Sequence, residues 1–517
     1  MANKSLFRSL VGKLIGAADA RNHEGAPAYA LSPKQTLAQY VATGCLNGTF
    51  YASADEQLQQ VLALCAGAEP LFVAKLAVYA RQAGHMKDMP ALLCAALSLR
   101  SPELLARVFD RVIDNGRMLR TFVQIVRSGA VGRKSLGTRP RRLVQRWLAA
   151  RSDGDLFADS VGQSPSIADV VKMVHPRPAT ASRAALYAYL IGRDHDPAAL
   201  PPEVRAYEDY KAGRRSELPG VSFQLLTGLP LGEAEWTEIA RRAPWQMTRM
   251  NLSTFARHGV FRREGMAELI ATRLSDGEAI ARARVFPYQL LVAYATAGAE
   301  IPASVRDALQ DAMELAIGNV PTVSGKVYVC PDVSGSMSSP VTGYRRGATT
   351  AVRCVDVAAL VAAALLRKNP DAEVLPFEHR LVNVQLSTRD SVMTNASKLA
   401  AVGGGGTSCS APLRELNRRR ARGDLVLYVS DNESWVDAGR GRGTATMQEW
   451  SAFRSRNPRA RLVCLDIQPY GTTQAAERED VLNVGGFSDE VFAVIARFAD
   501  GRLQADHWVG QIEEVSV

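Results

Sequence analysis

The spacing of apolar residues changes once along this 517-residue chain, near Asn319-Val-Pro321, and that change limits what each side can fold into. From about residue 30 to about 318 apolar residues recur at helical intervals, with short breaks at Gly and Pro. Leu71, Phe72, Lys75, Leu76 and Tyr79 lie at helical intervals, Pro90 opens the stretch through Leu97, and Leu104, Val108 and Val112 continue the pattern. Similar segments recur around 122–126, 143–148, 185–191, 239–255, 286–297 and 305–317. After residue 319, short apolar runs near 326–330, 373–377, 425–429 and 461–467 alternate with helical stretches such as 352–367.

The two spacings predict two architectures. Consecutive helices without a strict repeat predict an α-solenoid of the HEAT type, in which each pair buries its apolar face on its neighbours; a compact bundle is the alternative. Alternating strands and helices predict a parallel sheet covered on both faces, a doubly wound α/β domain. The expected domains are therefore residues 1–318 and 319–517. With 517 residues, 47% of them hydrophobic, the chain has material for more than one core.

Charge and cysteine usage narrow the class. Sixty-two Lys and Arg stand against 52 Asp and Glu, a net charge of +10 that favours polyanionic partners. Seven cysteines without C-x-x-C spacing point to reduced thiols and a cytoplasmic protein, not a disulfide framework or a zinc site. Lys4, Arg8 and Lys13 flank Leu6, Phe7, Leu10, Val11, Leu14 and Ile15 at helical spacing, the pattern of an amphipathic helix rather than a secretory segment. No apolar run is long enough to span a bilayer, so no membrane association is expected.

Chemistry-bearing residues concentrate at strand ends. Asp332-Val-Ser334-Gly-Ser336 follows the apolar run Val327-Tyr-Val-Cys330; a carboxylate and two hydroxyls on one tight loop suit a magnesium ion, which takes hard oxygen ligands and keeps several waters. Gly335 allows the sharp turn. Gly403-Gly-Gly-Gly406-Thr407 supplies a threonine at a glycine-rich bend, and Leu425-Val-Leu-Tyr-Val429-Ser430 ends a second buried run on Asp431. Ligands of open α/β sheets bind beyond the carboxyl ends of strands, where Asp332 and Asp431 would lie. Asp332, Ser334, Ser336, Thr407 and Asp431 are thus the candidate ligands of Mg2+ or another divalent cation. This set and order of loops resembles the metal-ion-dependent adhesion site of von Willebrand factor A domains.

The basic residues cluster too. Arg133, Lys134, Arg139, Arg141, Arg142 and Arg146 surround a helix start at Pro140, with Leu143, Val144, Trp147 and Leu148 as the buried stripe. Lys172, His175 and Arg177 end another helix before Pro176 and Pro178. Arg249 and Asn251, with Arg257 and His258, form a weaker third group. Basic ridges neutralise phosphates, and a histidine facing outward can stack on an unpaired base. A solvated charged face is the alternative reading of the same residues.

A helical solenoid followed by an A domain is similar to the Ro 60 kDa autoantigen family, whose helical part is called the TROVE domain. The resemblance spans essentially the whole chain. It is carried by Gly44-Cys-Leu-Asn-Gly48-Thr49-Phe50-Tyr51, Met86-Lys-Asp-Met-Pro90, Asp169-Val-Val-Lys172-Met-Val-His175-Pro176-Arg177-Pro178 and Met250-Asn251-Leu252. Gly405-Gly-Thr407-Ser-Cys409-Ser, Ser430-Asp431-Asn432-Glu433-Ser-Trp435 and Asn483-Val-Gly-Gly486-Phe487 add to it. It implies a ring closed by the A domain and a monomeric RNA-binding protein. Small noncoding Y RNA would bind the outer basic surface, and single-stranded ends of misfolded RNA the central hole. A role in RNA quality control follows, with polynucleotide phosphorylase or another RNA-processing enzyme as partner.

Two departures stand out. Ser408 occupies a place where the family pattern commonly has aspartate, which removes a carboxylate near the ion, and residues 132–142 are more basic than in the animal proteins. The competing function is a protein scaffold whose magnesium site docks a carboxylate from a partner. No enzyme is expected: Ser334 has no evident His-Asp companions, and Cys409 has no paired histidine.

Overall fold

The computed structural model describes residues 17–43, 46–162, 164–283, 285, 287–320, 322–344, 352–436, 443–468, 470–486, 489–503 and 507–517. The expected amphipathic helix of residues 1–16 lies outside the described residues, as do Gly44, Cys45 and Phe487. The chain packs as two compact units, residues 68–270 with 515–517, and residues 1–67 with 271–514. This division differs from a cut at 318/319. Short N-terminal strands and the helices after residue 271 pack with the sheet, a long-range choice that local periodicity does not encode.

The unit built on residues 68–270 is helical. The helix Pro70–Gln82 packs on Asp88–Arg100 and on Pro102–Val112, Asp88–Arg100 packs on Gly116–Ser128, and Pro102–Val112 packs on Thr138–Ala150. Contact with the next helix and the next but one is how a solenoid grows, each layer burying the face that its predecessor leaves open. The sequences fit their places. Pro102–Val112 buries Leu105, Val108, Phe109 and Val112 along one stripe, whereas Asp88–Arg100 is buried continuously from Met89 to Ser98. Phe109 and Phe122 meet edge to face at 5.1 Å, and Trp147 donates its indole N–H to the Ile113 carbonyl at 2.6 Å. The expected helical stretch 239–255 is broken into Glu233–Arg242, Trp245–Met250 and Leu252–Arg257. Pro244 interrupts it once, because proline has no N–H to donate and clashes with the preceding turn.

Among the described residues the other unit holds eight strands. β1 (Ala20–Arg21), β2 (Pro27–Ala30) and β7 (Thr472–Thr473) make a small antiparallel sheet, with Tyr29 opposite Thr473. β3 (Val327–Pro331), β4 (Glu373–Val374), β5 (Leu425–Ser430), β6 (Arg461–Asp466) and β8 (Val481–Gly485) form a parallel sheet in the order β4-β3-β5-β6-β8. Both faces are covered, so the central strands read as continuous apolar runs. Tyr328, Cys330, Val426, Tyr428, Leu462 and Cys464 pack with Leu413, Leu416, Trp450 and Phe453 from the helices Ala411–Arg418 and Ala445–Arg456. Cys354–Lys368 packs on β3 and β5, and Asp489–Ala499 on β6 and β8. Gly485 ends β8 against the helix Pro33–Thr43: a Cβ there would come within 3.2 Å of Thr43 and 3.3 Å of Gln39. The helical unit and the doubly wound domain are thus the two expected architectures.

Candidate functional site

Asp332 and Asp431 stand just past the carboxyl ends of β3 and β5, which are neighbours in register from Val327 opposite Leu425 to Pro331 opposite Val429. Adjacent strands therefore deliver both carboxylates to one place. The first loop is tightly wound: the Ser334 amide donates to Asp332 Oδ1 at 2.8 Å, Ser430 Oγ donates to Asp332 Oδ2 at 2.6 Å, and the Ser334 and Ser336 hydroxyls lie 3.3 Å apart.

The glycine-rich loop closes onto this one by its backbone. Gly335 N–H donates to the Gly405 carbonyl at 2.9 Å, and Gly404 N–H to that of Val333 at 2.8 Å. Such an approach leaves no room for side chains. A Cβ on Gly403, whose φ is +94°, would lie 2.0 Å from the Val333 carbonyl oxygen. Glu378 braces the loop by accepting from Gly405 N–H at 2.7 Å. Thr407 is buried in the same cluster, its carbonyl accepting from the amides of Trp435 and Val436, both at 3.1 Å. Ser408 is buried and donates its amide to the Glu378 carbonyl at 2.9 Å.

The loops gather more acid than a neutral core tolerates. Asp332, Asp431, Glu433 and Asp466 are at most 2% exposed. Burial, then the nearby Asp431 charge, raises Asp332 to about 7 and Glu433 to about 8, and pushes Asp466 well above the carboxylate range. Burial also raises Asp431. Glu433 Oε1 and Asp466 Oδ1 find no hydrogen-bond partner among the described residues. A buried carboxylate without a counter-charge is costly, and a divalent cation supplies one. Among the described residues no group of three or more His, Cys, Asp or Glu is arranged to hold a metal. The residues that could hold one are Asp332 and Asp431 with the hydroxyls of Ser334, Ser336 and Thr407, hard oxygens of the kind magnesium takes.

Sequence reasoning missed what covers these loops. Asn22 donates to the Ser434 carbonyl at 2.6 Å and the His23 amide to Glu433 Oε2 at 2.9 Å, and the Tyr51 ring stacks on that of His23. Such contacts between distant segments leave no local signal, although Gly48-Thr49-Phe50-Tyr51 stood out as a motif.

The basic residues occupy the helical unit. The helices Gly116–Ser128, Thr138–Ala150 and Ile167–Val174 border two adjoining hollows of about 610 Å³ each, which share Arg127 and Met173 and so form one groove. Lys134, Arg141 and Arg142 line one end and Lys172 the other. Arg127, Lys134, Arg142 and Lys172 are exposed, and none is in an ion pair among the described residues. Gly137 and Thr138 bring to the groove the start of a 13-residue helix that no side chain caps among the described residues, and with it the positive end of its dipole. Arg141 is held in place, donating to the Val174 carbonyl at 3.0 Å and lying 3.3 Å from His175 Nδ1. His175 caps its helix in a left-handed conformation, φ +51°, and is exposed, as is Arg177.

The remaining sequence candidates separate from this group. Arg139 and Arg146 turn to the neighbouring helix and pair with Glu103 and Asp110. Arg133 donates to the Ser98 carbonyl at 2.7 Å and anchors the loop before Gly137. Arg249 is only 9% exposed and donates to Gln246, and Asn251 is half-buried and donates to the Met247 carbonyl at 2.8 Å; neither lines the groove. Arg127 was missed, because a lone arginine in the last turn of a helix carries no distinguishing pattern.

Residues 326–499 match the Ro60 vWA domain family. An RNA-binding protein RO60 of Deinococcus radiodurans is 27% identical over 524 aligned residues, which cover 93% of this chain and 96% of that one. Over nearly its whole length the chain is similar to RO60 proteins. A second relative, the RNA-binding protein RO60 of Caenorhabditis elegans, is 21% identical over 46% of this chain and 38% of its own length. The crystal structure of the Deinococcus radiodurans RO (RSR) protein matches the fold with a TM-score of 0.64, at 22% identity, over 91% of this chain and all of that one. The Ro match thus extends beyond the A domain into the helical unit. No described helix is long and apolar enough to cross a membrane.

Proposed function

We propose that this chain is an RNA-binding protein that holds phosphate backbones in the groove formed by Gly116–Ser128, Thr138–Ala150 and Ile167–Val174. The observation that carries this reading is the convergence of Arg127, Lys134, Arg142 and Lys172, all exposed and outside any ion pair among the described residues, around an open helix start. Cations that are not locked into ion pairs are the ones that gain by displacing counterions from RNA, although Asp169 in the same groove offsets part of the charge of Lys172 and Arg127. His175, beside Arg141, can stack on an unpaired base or donate to phosphate. The naming of two relatives as RNA-binding proteins supports the same class. In our reading the ligands are small noncoding RNA of the Y type and the single-stranded ends of misfolded RNA. The setting is cytoplasmic RNA quality control beside an exoribonuclease such as polynucleotide phosphorylase.

The A domain is read as a magnesium site built from Asp332, Ser334, Ser336, Thr407 and Asp431. Bound there, the ion would offset the buried carboxylates and keep the loops in register. Its role is structural or in binding, and the chain is read as a non-enzyme. Cys409 is buried and the Ser334 hydroxyl faces that of Ser336, so neither offers a poised nucleophile.

Purifying the full chain from its own cells and sequencing the nucleic acid that comes with it tests the proposal. A discrete small RNA is expected; recovery free of RNA, together with no affinity for structured RNA at low salt, contradicts it.

A further inference from the structure

The two hollows of the basic groove are unlike in charge. The one at the start of Thr138–Ala150 is lined by Arg127, Lys134, Arg141 and Arg142 and, among the described residues, by no carboxylate. Its neighbour shares Arg127 and Met173 with it but adds Asp169 and Lys172, together with Gln124 and Pro165. A carboxylate in a groove for a polyanion repels each phosphate that passes it, so phosphate binding alone does not account for Asp169. Helix capping accounts for one of its oxygens. The Ser166 amide donates to Asp169 Oδ2 at 2.9 Å and the Ser166 hydroxyl to the same atom at 2.8 Å, closing the N-terminal capping box of Ile167–Val174. These bonds hold the carboxyl below its usual range, so it is ionised at neutral pH. Oδ1 is left without a hydrogen-bond partner among the described residues, as is the Gln124 amide, and both residues are exposed.

An acceptor of this kind suits a base edge. Guanine sets N1–H and its N2 amino group side by side, adenine and cytosine set one amino group beside an acceptor, and uracil sets one N–H between two carbonyls. We propose that the second hollow takes an unpaired guanine: Asp169 Oδ1 accepts from its adjacent donors, Gln124 donates to its O6, Pro165 and Met173 pack on its faces, and Arg127 and Lys172 neutralise its phosphates. This rests on the RNA-binding reading above and deepens it, because one hollow then follows the backbone and the other reads a base. A ribose 2′-hydroxyl also donates to a carboxylate, but it gives no preference among bases.

The full chain is titrated, with fluorescence anisotropy as readout, against a labelled single-stranded oligouridylate and the same strand carrying one central guanine, adenine or cytosine. Wild type should bind the guanine strand about ten-fold tighter than the all-uracil strand, with adenine and cytosine between them. Asp169→Asn keeps an oxygen for Ser166, and so the cap, while turning the other atom into a donor. It should lose the guanine preference and gain affinity for uracil, whose carbonyls then meet that donor. Asp169→Ala, with neither acceptor nor donor, should bring the four strands within about two-fold of one another. A role in capping alone would leave the order of bases unchanged. Equal affinity of wild type for the guanine and uracil strands overturns the guanine pocket and leaves the phosphate groove standing, as does a guanine preference that survives in both variants. A wild type that binds none of the strands even at low salt overturns the RNA-binding reading itself, and the pocket with it.

Discussion

The basic groove of the helical unit and the acidic loops of the A domain are opposite solutions to holding charge. Groove cations sit on exposed helix ends, stay solvated, and need only be near one another; their attraction for a polyanion is spread over several side chains and is tolerant of geometry. The carboxylates at the ends of β3 and β5 are buried and repel one another, and they are kept together by a lattice of short hydrogen bonds and glycine contacts. One region is additive and the other cooperative. Single changes should therefore be mild in the groove and severe in the loops.

The largest effect expected is in the groove, and only when its cations are removed together. Replacing Arg127, Lys134, Arg142 and Lys172 by Ala should flatten the log–log salt dependence of RNA binding by about 0.7 for each single-strand phosphate that the protein no longer neutralises. That totals about 2 to 3, measured by fluorescence anisotropy from low to physiological salt, with affinity at low salt falling about a hundred-fold or more. An unchanged slope would move RNA elsewhere on the molecule.

A single change should do comparable damage in the loops. Gly403→Ala forces a Cβ to 2.0 Å from the Val333 oxygen at a left-handed φ, and should destabilise the A domain by about 2–3 kcal/mol in urea unfolding. RNA affinity should stay within about two-fold, because the groove lies in the other unit.

Asp332→Ala should abolish stabilisation by magnesium. If the ion binds the native state alone, it contributes about 2.7 kcal/mol at a hundred-fold excess over its dissociation constant, and the variant's melting temperature should no longer respond to it. A response equal to that of wild type would show that the ion binds elsewhere. Least affected should be Arg146→Ala. Its pair with Asp110 is solvent-exposed, so unfolding should detect less than about 1 kcal/mol. A larger loss would mean that this ridge is structural rather than part of the groove's surroundings.

The contrast between the regions also accounts for what the sequence made legible. Asp332, Ser334, Ser336, Thr407 and Asp431 could be picked out because strand-ending motifs are local, and parallel pairing of β3 with β5 then brings two of those ends together. Lys134, Arg141, Arg142 and Lys172 were legible as charge clusters, yet sequence could not separate groove-lining residues from Arg139 and Arg146, which face an acidic neighbour. Arg249 shows the same limit: an arginine in a polar-looking run is buried beside Gln246. β8 overlaps a motif recognised by resemblance rather than by alternation, since every one of its residues is buried. The pairing of β2 with β7 and the bond from the His23 amide to Glu433 depend on segments hundreds of residues apart, and no window of sequence contains both partners.

The most direct test of RNA binding in the groove is ultraviolet crosslinking of the full chain to its co-purified RNA, followed by mass spectrometry of the crosslinked peptides. Crosslinks are expected to concentrate in peptides containing Arg127, residues 134–142 and residues 172–177, and to disappear at high salt. Crosslinks confined to the metal loops or to the peptide around Arg249, with the groove peptides unmodified, would contradict it.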